Sequence, residues 1–201
     1  MSVAVIGLGS VLLGDDGFGP FVVELLRTRY AFPPEVALLD LGTPGLGLTT
    51  YLCGHEALVL VDAVAGTGHP GDIRLYEGAE LECLPMAPRV SPHDPAVLEA
   101  LAVARLAGQG PREVRLVGAV PGGREPGAGL SPRMRGAAEA AVEIVRRQVE
   151  GWGFPARRHD GGGIEHDWWL RAGPGTLQPS FAGRRREAGR PERANAGRQA
   201  A

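Results

Sequence analysis

The sequence predicts a doubly wound α/β fold: a mostly parallel five-stranded sheet between helices, with one antiparallel edge strand. Three observations carry this. Short apolar runs alternate with stretches of helical period through residues 1–150. The run Ala57–Val61 (ALVLV) is apolar at every position, as a strand covered on both faces requires. The connections between runs are long enough for crossover helices everywhere but one.

Val3–Ile6 is the first strand, and the glycines Gly7 and Gly9 break it. Phe18–Tyr30 follows as a helix, with Val22, Val23, Leu25 and Leu26 on its apolar face. Val36–Leu39 is the second strand and runs into Asp40; Gly45–Cys53 is a short helix. The third strand, Ala57–Val61, ends in Asp62. Asp72–Tyr76 is the fourth. The link to it from Asp62 is short and rich in Gly and Pro, so no crossover helix fits and the strand is an antiparallel edge. A long loop covers Glu77–Pro92. Helix Pro95–Leu106 has Asp94 as its N-cap, Pro95 at its first position and Gly108 past its end. Val114–Val120 is the last strand. Ser131 and Pro132 start a long helix that reaches about Val149, with an inward stripe of Met134, Ala138, Ala141, Val142, Val145 and Val149 before Gly151.

The 201 residues are expected to form one domain over 1–150 and an extension over 151–201. No secretory signal pattern opens the chain, and no apolar run approaches the roughly 20 residues that span a bilayer, so a cytoplasmic protein without a membrane partner is expected. Cys53 and Cys83 make no CxxC pair and read as buried thiols in a reducing compartment. The extension holds nine arginines against five acids, whereas residues 1–150 hold twelve against eighteen. Its Gly, Arg and Ala content, without periodicity beyond Trp168-Trp169-Leu170, reads as a largely disordered solvated segment rather than a nucleic-acid arm.

Ligands of open α/β sheets bind outside the carboxyl ends of the strands. Asp15 and Asp16 lie beyond the first strand, Asp40 ends the second and Asp62 the third. Four acids expected on one rim would repel one another, and a bound cation relieves that repulsion. His93, just outside a helix N-terminus, adds a nitrogen donor that the helix dipole helps keep neutral. Two carboxylates and an imidazole form a borderline O,O,N set suited to Ni, Zn or Co rather than Ca or Mg.

Other chemistries fit less well. Gly7-Leu8-Gly9 suggests a dinucleotide loop, but the third glycine of GxGxxG falls on Leu12, so no nucleotide is expected. A phosphoryl-accepting receiver needs a lysine at its last parallel strand, and the chain has no lysine. There is no HExxH, and no Ser or Cys has an evident His–Asp partner.

These residues resemble the hydrogenase maturation endopeptidases. GLGSVLLGDDGFG (7–19) is similar to the family's GxGNxLxxD(E/D)GxG, Asp40–Gly45 to its DxGTxG turn, and Val61-Asp62-Ala63 to its acid after the third strand. Ser91-Pro92-His93-Asp94 resembles its SxH(Q/D), and GAVPGGREPGAGLSP (118–132) its late segment. The resemblance covers about residues 1–150. It implies Asp16, Asp62 and His93 as metal ligands, with Asp15 serving the turn and the helix start. Ser10 stands where the family usually has Asn, and Asp16 is the shorter of the two acids used there.

The activity implied is removal of a C-terminal extension from the large-subunit precursor of a [NiFe]-hydrogenase after nickel insertion. The nickel is that of the precursor, and the site either reads it or uses a metal to activate water. Asp40 is the spare carboxylate, a general base or a substrate-positioning group, and Asp16 shares the catalytic assignment. Gly42 and Thr43 are expected against the substrate. A non-catalytic nickel-binding or chaperone-like module on the same fold is the alternative.

Overall fold

A computed structural model describes residues 1–82 and 96–159. Strand β1 (Val3–Leu8) leads through a 3₁₀ turn (Gly14–Gly17) into α1 (Phe18–Arg29). Next come β2 (Tyr30–Ala31), β3 (Val36–Gly42), a 3₁₀ turn at Gly45–Gly47 and α2 (Leu48–Leu52). Then follow β4 (Ala57–Ala63), β5 (Ile73–Glu77), α3 (Ala79–Glu82) and α4 (Ala96–Leu106). β6 (Glu113–Ala119), α5 (Pro132–Gly151) and β7 (Arg157–Arg158) complete the chain as described.

Five strands form one sheet in the order β3-β1-β4-β6-β5. β5 runs antiparallel to β6, and the other pairings are parallel. Alternation along the strands divides the core in two. Val3, Val5, Val59, Val61 and Val117 face α1 and α5, while Ala4, Ile6, Leu58, Leu60 and Leu116 face α2 and α4. Both faces are covered, so the central strands have no polar face.

The chain leaves β1 for β3 on one side and then crosses to β4 on the other. The carboxyl ends of β1 and β4 therefore flank the switch point where such sheets open a crevice. Two glycines let α1 start there. A Cβ on Gly19 would lie 2.3 Å from the carbonyl oxygens of both Leu8 and Val61, and one on Gly7 would lie 2.5 Å from the carbonyl oxygen of Gly19. The start of α1 is thus wedged against β1 and β4 at a distance that no side chain permits. Gly7 and Gly19 thus serve helix packing.

The expected elements are present with shifted ends. The loop expected over Glu77–Pro92 opens with α3. The helix expected over Gly45–Cys53 divides into a 3₁₀ turn and the short α2. Asp62 lies inside β4 rather than after it, because β4 pairs with β6 as far as Ala63–Ala119. Cys53 is half-buried and unoxidised, not fully buried; Cys83 lies outside the described residues, as do Asp94 and Pro95.

Described residues beyond 150 also pack on the core. Trp152 and Phe154 pack on the α1/α5 side of the core. The Trp152 indole donates to Glu113 at 2.7 Å, and the Arg115 guanidinium stacks on its ring at 4.7 Å. β7 then pairs antiparallel with β2. The rest of the extension, 160–201, lies outside the described residues. No helix among the described residues is long and apolar enough to cross a membrane.

Candidate active site at the switch point of the sheet

The two adjacent acids of the 3₁₀ turn have different surroundings. Asp15 is turned inward and only 3% exposed. One carboxylate oxygen accepts from the Ser131 backbone N–H at 2.7 Å; the other accepts from the Gly122 N–H at 2.8 Å and the Ser131 hydroxyl at 3.1 Å. Ser131 in turn caps α5, its hydroxyl accepting from the Met134 N–H. Asp15 was expected to serve the start of the helix that follows it. It makes no cap there, and instead it fixes the start of α5. Backbone bonds reinforce the junction: Gly14 N–H donates to the Gly127 carbonyl at 2.8 Å, and Gly127 N–H to the Leu12 carbonyl at 2.9 Å. The late glycine-rich loop is thereby sewn to the turn that carries the acids.

Asp16 points the other way. Its Oδ2 accepts from the Ser10 N–H at 2.7 Å, and its Oδ1 lies 3.3 Å from Arg124 Nε. Gly9 makes the close approach possible: at φ 114° it takes a backbone that a side chain rarely adopts, and a Cβ there would meet the Asp16 carbonyl oxygen at 1.9 Å. The Ser10 contact to Asp16 is made by its main chain. The Ser-for-Asn departure therefore leaves that hydrogen bond in place.

Arg124 joins Asp16 to the end of β4. Its Nη2 donates to the Ala63 carbonyl at 2.8 Å, next to Asp62. Asp62 is half-buried, and its place in the alternation with Leu58 and Leu60 puts it on the α2/α4 face. The structure thus brings Asp16 and the Asp62 segment to the two lips of the crevice, bridged by one guanidinium. Sequence reasoning missed Arg124. The available signal was a lone arginine in a Gly-Gly-Arg loop at the carboxyl end of the last strand, facing a rim of acids.

Asp40 does not join them. It pairs with Gly7 across the β1–β3 ladder and sits on the α1 face at the sheet edge. Burial raises its carboxyl above the ordinary range, against the opposing effects of the Gly42 N–H (3.1 Å) and the Arg27 guanidinium. Gly42, at φ 58°, also accepts from the Gly9 N–H at 2.9 Å, so the DxGTxG turn is pinned to the first loop. Thr43 is exposed on the same rim. The expected convergence of four acids is therefore reduced to two, since Asp15 is structural and Asp40 lies around the edge. His93 lies outside the described residues. His55 sits just before β4, at the amino end of the sheet, where its ring is held 3.0 Å from the Ser2 hydroxyl and burial lowers its basicity.

Among the described residues no cluster of three or more His, Cys, Asp or Glu could hold a metal ion. The oxygen donors of Asp16 and Asp62 are too few for a closed structural site, which takes four protein ligands.

Comparison with known proteins agrees with this architecture. Residues 20–148 match the family model described as hydrogenase maturation protease. The chain is 33% identical over 146 residues to the Hydrogenase 2 maturation protease of Escherichia coli, covering 72% of this chain and 88% of that protein. It is 36% identical over 152 residues to the hydrogenase expression/formation protein HoxM of Cupriavidus necator, covering 75% of each. Among solved structures, the hydrogenase maturating endopeptidase HybD from E. coli superposes with a TM-score of 0.74 at 32% identity, covering 79% of this chain and 98% of that one.

Proposed function

The chain belongs to the hydrogenase maturation protease family, and from that premise we propose that it cuts the C-terminal extension from a [NiFe]-hydrogenase large-subunit precursor once nickel is in place. The observation that carries this reading is the pairing of Asp16 with the Asp62 segment across the switch-point crevice. Asp16 and Asp62 present two carboxylates to the precursor's nickel, with His93 as the third ligand implied by its motif. Nickel so held is part of the substrate. Bound there, it would report that loading is complete.

The residues of this chain do the rest. The Ser10 N–H fixes the rotation of the Asp16 carboxylate, so one oxygen stays aimed into the crevice. The scissile segment runs from the β1 tip toward β3, past Gly42 and Thr43, which brings it to Asp40. A buried carboxyl with raised proton affinity suits a group that takes a proton from the attacking water and returns it to the leaving amine.

The deciding experiment incubates the protein with nickel-loaded and nickel-free precursor and follows the mass of the large subunit. Shortening of the loaded form alone supports the reading. Binding without shortening favours the non-catalytic module, and shortening of both forms removes nickel from the recognition.

Asp40→Asn gives a second test. A carboxyl whose folded-state pKa is raised costs stability as pH climbs from the unfolded value of about 3.9 through the folded one. The variant is therefore expected to match wild type in acid and exceed it in urea melts at neutral pH. Its processing rate should fall at least about a hundredfold, the lower range for loss of a general base. Full activity together with higher neutral stability would leave Asp40 a purely structural acid.

A further inference from the structure

Resting on that reading, we infer that Arg124 occupies the cation position of the acid pair and competes with the incoming divalent metal, which binds only as the guanidinium releases Asp16. Asp16 has two carboxylate oxygens. Oδ2 is committed to the Ser10 N–H, which leaves Oδ1 as the oxygen to offer a cation, and Arg124 Nε stands 3.3 Å from it. The same guanidinium reaches the Ala63 carbonyl at 2.8 Å, so it spans the lips that a shared ion would span. Asp16 is 15% exposed and Arg124 22%, so water screens the pair only partly. A dication on Oδ1 and a guanidinium at the same oxygen would repel each other.

The loop is built for such a movement. The Gly122 N–H is anchored on the Asp15 carboxylate, and the Gly123 carbonyl accepts from the Asp15 N–H at 3.2 Å, with Arg124 the next residue. With both glycines before it pinned to Asp15, Arg124 leaves Asp16 by rotation of its own side chain while the loop holds. In the closed arrangement, a precursor without metal meets an acid that is already neutralised, so the arginine sharpens the distinction between loaded and unloaded substrate.

The test is titration of the purified full-length protein with NiCl₂ by calorimetry. Arg124→Gln is expected to bind Ni²⁺ about fivefold more tightly than wild type, the factor that about 1 kcal/mol of a partly screened ion pair is worth. Arg124→Lys keeps a cation beside Asp16 and should stay within about 1.5-fold of wild type, well short of that pair's worth. Adding Asp16→Asn to Arg124→Gln should abolish the gain. Arg124→Met, which keeps the apolar stem, replaces the glutamine variant if that one fails to fold. Affinity unchanged in the neutral variants overturns the inference, as does an equal rise in the glutamine and lysine variants, which would mark a loosened loop. Selective processing of loaded precursor by wild type, measured separately, keeps the functional reading standing in either case.

Discussion

Asp16→Asn is expected to abolish processing and leave the fold intact. The substitution keeps the shape of the side chain, and an amide oxygen can still accept from the Ser10 N–H. What it loses is the negative charge that faces Arg124 and the crevice. The stability cost should be about 1 kcal/mol or less, the worth of a partly screened pair. The catalytic cost should be far larger. Losing even a partner that only orients a metal ligand costs about 10–100-fold, and in the proposed function Asp16 touches the ion itself. Processing of loaded precursor should therefore fall at least about a hundredfold, read by the mass of the large subunit, with the urea midpoint nearly unmoved. A variant that still processes at the wild-type rate would remove Asp16 from the site.

Its neighbour should behave in the opposite way. Asp15→Asn replaces a buried acceptor-only group that takes three hydrogen bonds, two from main-chain N–H groups and one from the Ser131 hydroxyl. Either orientation of the amide sets its NH₂ against at least one donor, leaving buried polar groups unpaired at about 1–3 kcal/mol each. The late loop and the first turn of α5 are held to the 3₁₀ turn by these contacts, so the loss is expected to reach about 3 kcal/mol, or roughly 6–12 °C in melting temperature for a domain of this size. Two adjacent isosteric changes would then separate stability from function. A stable Asp15→Asn would mean that the backbone bonds of Gly14 and Gly127 carry the junction alone.

That contrast marks the boundary of what was legible beforehand. The strands could be read because residues buried on both faces leave an unbroken apolar signature, and Ala57–Val61 is buried at every position. The crevice could be read because topology fixes it: acids beyond the first and third strands must flank a switch point. Which of two neighbouring aspartates faces outward depends on partners more than a hundred positions away, Gly122 and Ser131, and no local pattern records them. Arg124 was hidden for the same reason, since its role comes from the return of a loop to the rim. Asp40 was placed with the others by strand order alone, but the alternation through Leu38 puts it on the α1 face. The packing of Trp152 and Phe154 on the core was not legible either, because both follow the glycine that ends a helix. The partners of this segment are distant in sequence: Glu113 and Arg115 for Trp152, and β2 for β7.

The pairing of β7 with β2 has a practical consequence. α1 and α5 both begin at the acid-bearing rim and end at the opposite pole, where the ribbon closes. The 20 residues of α5 span about 30 Å. A fluorophore or affinity handle joined just after His159 starts that far from Asp16, which gives an anchor for single-molecule or surface measurements of client capture with the cleft facing outward.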